Sequence, residues 1–327
     1  MSQSAKARIP TVDFAEYRHG DAAQREAAIR GIGAASERYG FVRIIGHDIP
    51  LALIQGTFDI SHEFFMRSME EKLRYREVGK TDRGYSPLFD VIEPESRKPS
   101  GQEGFTMGHL VVPADPELAA LPFHAETPWP DILGFRPTLE KSYQAVYDLG
   151  TEILGAMALH LGAPVDFFDA ALVNTFSHMR VNHYPPHEAI AHIVDEGVFA
   201  HTDESLITLL IQDSNGGLEV FSPDEGWIPV EPDPSAVVVN IGKLLRHWTN
   251  GRYNAALHKV LNRSGRERYS MPVFIHPAFD TVIDPVDLMG LSAPSKEFPP
   301  IVAGEQVFAG LAAPRASWTD QPVGETV

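Results

Sequence analysis

His201-Thr202-Asp203-Glu204-Ser205-Leu206-Ile207-Thr208-Leu209-Leu210-Ile211-Gln212 joins a polar triplet to an apolar, partly β-branched run. The run Leu206–Gln212 reads as a strand. In extended backbone ahead of it, residues two apart point the same way, so His201 and Asp203 aim an imidazole and a carboxylate at one point. Similar short runs, broken by turn residues, surround it at Met179–Tyr184, Leu218–Phe221, Trp227–Val230, Ala236–Ile241, His258–Asn262 and Tyr269–His276. Many short strands at close spacing predict a sandwich or barrel.

Upstream of Thr175 the rhythm is helical. Asp21 to Tyr39 carries Ile29, Ile32, Ala35 and Tyr39 at three- and four-residue intervals and meets a stop at Gly40. Phe41–Ile45 reads as a strand, Pro50 suits the first turn of a helix through Phe65, and Pro137 opens a long amphipathic helix that Gly162 closes. Residues 80 to 136, rich in Pro, Gly and acidic residues, read as loops and short strands beside a pocket. The expectation is a β core with a helical N-terminal layer on one outer side.

The chain has 327 residues, 27 Lys and Arg against 44 Asp and Glu, 14 His and no Cys. Without Cys there is no disulfide scaffold and no thiolate chemistry, so a bound metal must use nitrogen and oxygen ligands. A net charge of −17 opposes nucleic acid and anionic membranes as general partners and favours a small-molecule substrate. No apolar leader or membrane-length run is apparent, and the expectation is a cytoplasmic protein, a monomer by default with a homo-oligomer open.

His258, 55 residues after Asp203, can supply a third ligand from a distant strand. Two His and one carboxylate, with three positions open, form the ligand set of non-haem Fe(II) oxygen chemistry; a lone His-x-Asp is more often ordinary polar structure. A second pair at the same spacing, Arg268 and Ser270, puts a guanidinium and a hydroxyl on one strand face, where they can hold a carboxylate. The turn residues Asn262-Arg263-Ser264-Gly265 predict a hairpin that sets Arg268 beside His258. Arg180, Asn182 and Tyr184 alternate onto one face, ready for a bound oxyacid or for a cross-strand polar ladder.

The ordered segments Asn182–Pro185, His201–Asp203, Asn240–Gly242, Trp248–Tyr253, Leu257–Val260 and Arg268–Ser270 resemble the isopenicillin N synthase-like family of Fe(II)- and 2-oxoglutarate-dependent oxygenases. The resemblance extends through Ile9–Asp13, Gly40–Val42 with Gly46-His47, Glu70–Lys72, Arg83–Tyr85 and Gly101–Gly108, so it spans nearly the whole chain. Asp48 and Lys243 depart from the family's usual Gly and Asp. The resemblance implies an α+β, mainly β fold: a distorted jelly roll, or double-stranded β-helix, with N-terminal helices packed on one sheet. It further implies that His201, Asp203 and His258 bind Fe(II), that Arg268 and Ser270 bind the distal carboxylate of 2-oxoglutarate, and that Tyr184 and Asn182 line the same pocket. O2 would oxidise 2-oxoglutarate to succinate and CO2 while a small organic metabolite is hydroxylated or otherwise oxidised. Residues 1–174 would form the bracing region, 175–280 the catalytic core and 281–327 a tail over the site, all in one unit.

Other readings within the same class are an ethylene- and succinate-forming enzyme or a 2-oxoglutarate-independent oxidative cyclase. A non-enzymatic ligand sensor would require a broken triad, and the triad is intact. His187-Glu188-Ala189-Ile190-Ala191-His192 imitates a zinc-protease motif, but its His residues are five apart, off the helical register such a site needs. For the substrate pocket the candidates are Tyr85, Phe105, Met107, His109, Arg180, His183, Phe199, Phe274 and the tail around Trp318, a mixture suited to a medium-sized, partly polar molecule.

Overall fold

The computed structural model describes residues 8–76, 82–93, 96–111, 116–121, 123–194, 196–291 and 295–312. Trp318 lies outside them. The strands of the roll are β1 (Thr11–Asp13), β2 (Phe41–Ile45), β3 (Gly84–Ser86), β4 (Glu103–Met107), β5 (His178–Tyr184), β6 (Val198–His201), β7 (Ile207–Gln212), β8 (Leu218–Ser222), β9 (Gly226–Pro229), β10 (Val237–Ile241), β11 (His258–Val260) and β12 (Arg268–Ile275), and a separate short pair joins Val282–Ile283 to Ile301–Val302. Among the described residues they form an eight-stranded sheet in the order β1-β2-β10-β7-β12-β5-β4-β3 and a four-stranded sheet in the order β6-β11-β8-β9. Apart from the parallel pair β1–β2, the pairings within both sheets are antiparallel. This is the distorted jelly roll expected from the sequence.

Strand alternation gives the large sheet two chemically different faces. Ile207, Leu209 and Ile211 of β7, Val237, Val239 and Ile241 of β10, and Met271, Val273 and Ile275 of β12 join one apolar core with the helical layer. Thr208 and Leu210, Asn240, and Arg268, Ser270, Pro272 and Phe274 point the other way, into the interior of the roll. Each fully buried aliphatic side chain contributes roughly 1.5–3 kcal/mol, which lets the opposite face carry polar groups.

The helical layer is built from well-terminated segments. The helix Ala22–Arg38 starts in a capping box, with the Asp21 side chain accepting from the Gln24 backbone and the Gln24 side chain returning to Asp21. It and the helix Leu51–Phe65 pack on the long helix Phe135–Leu161, which ends at Gly162 in a left-handed conformation. Among the described residues no helix is long and apolar enough to cross a membrane.

The hairpin expected between His258 and Arg268 does not form. β11 pairs with β6 and β8, whereas β12 pairs with β5 and β7, so the two strands belong to different sheets. The Asn262 amide donates to the carbonyls of Pro185 and Arg266, each at 2.9 Å, and pins the chain where it crosses over. The turn residues thus mark a change of sheet, and the groups they link both line the cavity inside the roll.

Candidate active site

Strand pairing brings two of the three metal-type residues together. His201 ends β6 and is the register partner of His258 at the start of β11, with ring centroids 4.3 Å apart. Asp203 follows two residues on, and its Oδ1 lies 3.5 Å from His201 Nε2 and 3.6 Å from His258 Nε2. The ligand-type atoms of all three lie within 4.8 Å of one another.

The surroundings leave one donor atom of each residue aimed at a common point. His201 Nδ1 meets the Phe199 carbonyl at 2.9 Å and His258 Nδ1 meets the Ala256 carbonyl at 3.1 Å. A carbonyl only accepts, so each ring carries its proton on Nδ1 and keeps the Nε2 lone pair. Asp203 Oδ2 accepts from Thr208 Oγ1 at 2.6 Å and from Asn240 Nδ2 at 2.8 Å, which turns Oδ1 toward the imidazoles. Burial pushes the Asp203 carboxyl up, but His258, His201 and Asn240 outweigh it and hold the pKa well below the ordinary value. Burial and the neighbouring His201 lower His258 to about 4, while His201 is raised because the Asp203 carboxylate overrides its own burial. Two imidazole nitrogens and one carboxylate oxygen on a single point fit a divalent iron with open positions, and a bound metal would take the place of the proton that Asp203 favours on His201.

Beside the triad, a cavity of about 120 Å³ runs between the sheets to Arg268. Arg268 is fully buried; its Nε donates to the Gly216 carbonyl at 2.6 Å and its Nη2 to Gln212 Oε1 at 3.1 Å, while Nη1 is buried with no hydrogen bond. Its guanidinium lies over the Tyr184 ring, 4.7 Å from the centroid. Among the described residues no carboxylate lies within 4 Å of it. A buried cation without a counter-ion is costly, and the missing partner marks a place for an anion. Ser270 and Asn182 line the same space, with Asn182 Oδ1 accepting from Arg180 Nε at 2.7 Å.

A second cavity, of about 440 Å³, opens on the other side of His201 and Asp203 and shares Gln102, Arg180 and Phe274 with the first. Phe199 lines it, and the helix Ala303–Ala312 closes it with Val307, Gly310 and Leu311. A Cβ at Gly310 would collide with the Glu204 carboxylate, which Lys243 binds at 2.6 Å. The structure places Tyr85, Phe105 and Met107 elsewhere. Odd-numbered positions of β4 face the helical layer, so Phe105 packs against Phe64 and Phe135, while Gly104 and Thr106 face Asn182 and Arg180 across the pairing. Tyr85 donates to Glu103 Oε2 on the same side, and Met107 belongs to the core. His183 bonds Glu103 behind the sheet, and His109 bonds the Tyr143 hydroxyl at 2.7 Å. Residues given no role from sequence, Thr208, Gln212 and Gln102, carry a signal only once the inward face of each strand is known.

Residues 175–277 match the 2OG-Fe(II) oxygenase superfamily, and residues 9–132 match the N-terminal model of non-haem dioxygenases in morphine synthesis. A 2-oxoglutarate-Fe(II) type oxidoreductase of Emericella nidulans is 32% identical over 91% of this chain and 88% of its own. The chain belongs to the 2OG-Fe(II) oxygenase superfamily. A 2-oxoglutarate-dependent dioxygenase of Monascus ruber is 34% identical over 89% of this chain and 91% of its own. Among solved structures, a full-length Neurospora crassa protein in complex with α-KG and 5-formyluracil superposes with a TM-score of 0.82 at 26% identity, covering 96% of this chain and 98% of that one. A putative 2OG-Fe(II) oxygenase family protein of Caulobacter crescentus gives 0.80 at 31% identity, over 94% and 98%. This oxygenase is therefore an oxidoreductase, an Fe(II)- and 2-oxoglutarate-dependent dioxygenase that uses O2.

Proposed function

We propose that His201, Asp203 and His258 hold the Fe(II), and that Arg268 and Ser270 bind the distal carboxylate of 2-oxoglutarate, with Tyr184 and Asn182 lining its pocket. The observation that carries this is the buried, carboxylate-free Arg268 at the end of a cavity that begins at the triad. The guanidinium and the Ser270 hydroxyl supply charge-assisted and neutral donors to one carboxylate, and the Tyr184 ring keeps the guanidinium in place. Bound Fe(II) supplies the site at which O2 oxidises 2-oxoglutarate to succinate and CO2. The chain's own residues fix the open ligand geometry, exclude water from the narrow cavity and hold the substrate in the wider one.

The wider cavity suits a small, partly polar organic molecule, with Phe199 and Phe274 offering apolar surface and Arg180 and Gln102 offering polar contacts. The ring compound named in the Neurospora complex is of that kind. Under anaerobic conditions Arg268→Ala should weaken 2-oxoglutarate binding by about 100-fold, as expected for removing one partner of a buried charge pair, while Fe(II) binding persists. His201→Ala should lose Fe(II) binding itself. Unchanged 2-oxoglutarate affinity in Arg268→Ala would remove Arg268 from the co-substrate site.

A further inference from the structure

Where β5 and β12 pair, four rings stack, and three of them, His276, His178 and Phe274, line the wall of the wider cavity. Phe176 lies on His276 with centroids 4.5 Å apart and planes 12° apart; His276 lies on His178 at 5.3 Å and 13°; His178 lies on Phe274 at 4.8 Å and 25°. The His276 ring thus sits between an aromatic and an imidazole face. Its backbone is held as well, with the N–H donating to Ser177 Oγ at 2.9 Å and the carbonyl accepting from Ser177 Oγ at 3.2 Å.

With both faces covered, only the edge of the imidazole is free of the stack, and that edge carries its two nitrogens. His276 is 2% exposed, lines the cavity, and makes no hydrogen bond through either Nδ1 or Nε2. Buried polar atoms are normally satisfied, so two on one ring call for a partner. Burial, together with the neighbouring His178, holds the ring well below its ordinary pKa, so it presents one donor and one acceptor. Gln102 Oε1, on the wall of the same cavity, is likewise buried without a partner.

Resting on the reading of the triad and Arg268 given above, we propose that His276 is a specificity-determining residue whose ring edge hydrogen-bonds a neutral N–H or O–H group of a small cyclic substrate. A hydrocarbon would leave both imidazole nitrogens unmet. A carboxylate brings acceptors alone and would leave the imidazole lone pair and Gln102 Oε1 facing further acceptors. A ring bearing an N–H, such as a lactam or imide, or a ring alcohol, matches the set. Because the stack prevents the imidazole from tilting, this bond also selects which C–H of the substrate faces the triad.

The test uses 2-pyridone, which carries a ring N–H, and 1-methyl-2-pyridone, which has a methyl group in its place. Their affinities are measured by ligand-observed NMR titration against the Fe(II)- and 2-oxoglutarate-loaded enzyme without O2, for the wild type, His276→Phe and His276→Gln. The wild type should favour 2-pyridone about tenfold, the worth of one buried hydrogen bond. His276→Phe, which keeps a flat ring in the stack, should bind both equally, and His276→Gln, which keeps a donor and an acceptor, should retain a preference. Equal affinities in the wild type, no saturable binding of either probe, or a preference that survives in His276→Phe would each overturn the proposal. Binding of 2-oxoglutarate, measured in the same three proteins and in Arg268→Ala, separates this from the co-substrate reading: if that reading fails, Arg268→Ala binds 2-oxoglutarate as tightly as the wild type does, whereas failure here leaves 2-oxoglutarate binding intact in the wild type and both His276 variants and still weakened in Arg268→Ala.

Discussion

The two oxygens of Asp203 are held to different directions. Oδ2 is occupied by Thr208 and Asn240, which come from β7 and β10, so the orientation of Oδ1 depends on two strands that contribute nothing else to the triad. In the proposed site, removing one such support would free the carboxylate to rotate and would weaken metal binding without deleting a ligand. Asn240→Ala is therefore expected to lower Fe(II) affinity between about 10- and 100-fold, measured by anaerobic Fe(II) titration. Affinity equal to the wild type would show that Thr208 alone orients the carboxylate. The sequence displayed Asn240 inside a motif but offered no reason for it; the reason is a 2.8 Å bond across 37 residues of chain.

At the scale of elements, one carboxylate ties together much of the far side of the large sheet. Glu103 of β4 accepts from Lys72 Nζ at 2.7 Å, from the Tyr85 hydroxyl of β3, and bonds His183 Nδ1 of β5 at 2.8 Å. Burial pushes its pKa up, but His183, Lys72 and Tyr85 outweigh that and hold it below the ordinary value. Glu103→Ala would leave the 6% exposed Lys72 without its counter-ion, a change that costs about 3–5 kcal/mol; denaturant unfolding should show it, and a loss below about 1 kcal/mol would mean that Lys72 finds another partner. This network also explains what the sequence concealed. Eight of the twelve strands in the two large sheets were legible from their apolar pattern, and so were the three long helices, whereas β1, β3, β4 and β6 were not marked out. Which face of β3 and β4 pointed inward was not, because Tyr85, Phe105 and Met107 alternate with small residues and either face could have been the core. The hairpin assigned to residues 258–270 failed for a related reason. Turn residues reveal that a chain reverses, while its partner strands are set by long-range pairing that no local signal records.

For the whole molecule, the balance is between a large apolar core and a polar interior that is satisfied only with its small molecules in place. The core unites the helical layer with one face of the eight-stranded sheet, while the interior between the two sheets buries Arg268, Asp203 and His258. In the proposed site each of these groups gains its natural partner only on binding, so Fe(II) and 2-oxoglutarate should stabilise the fold as well as equip it for chemistry. Binding to the native state alone contributes about 2.7 kcal/mol at a concentration 100 times the dissociation constant. For a chain of this length that is a rise in melting temperature of about 4 °C. Thermal scans without O2 should show one increment on adding Fe(II) and a second on adding 2-oxoglutarate. In Arg268→Ala the first increment should remain and the second should shrink to below about 1 °C at the same concentrations, because only the second depends on the anion site. A 2-oxoglutarate increment of full size in that variant would place the co-substrate's carboxylate elsewhere, and would leave the buried guanidinium without the partner that its surroundings demand.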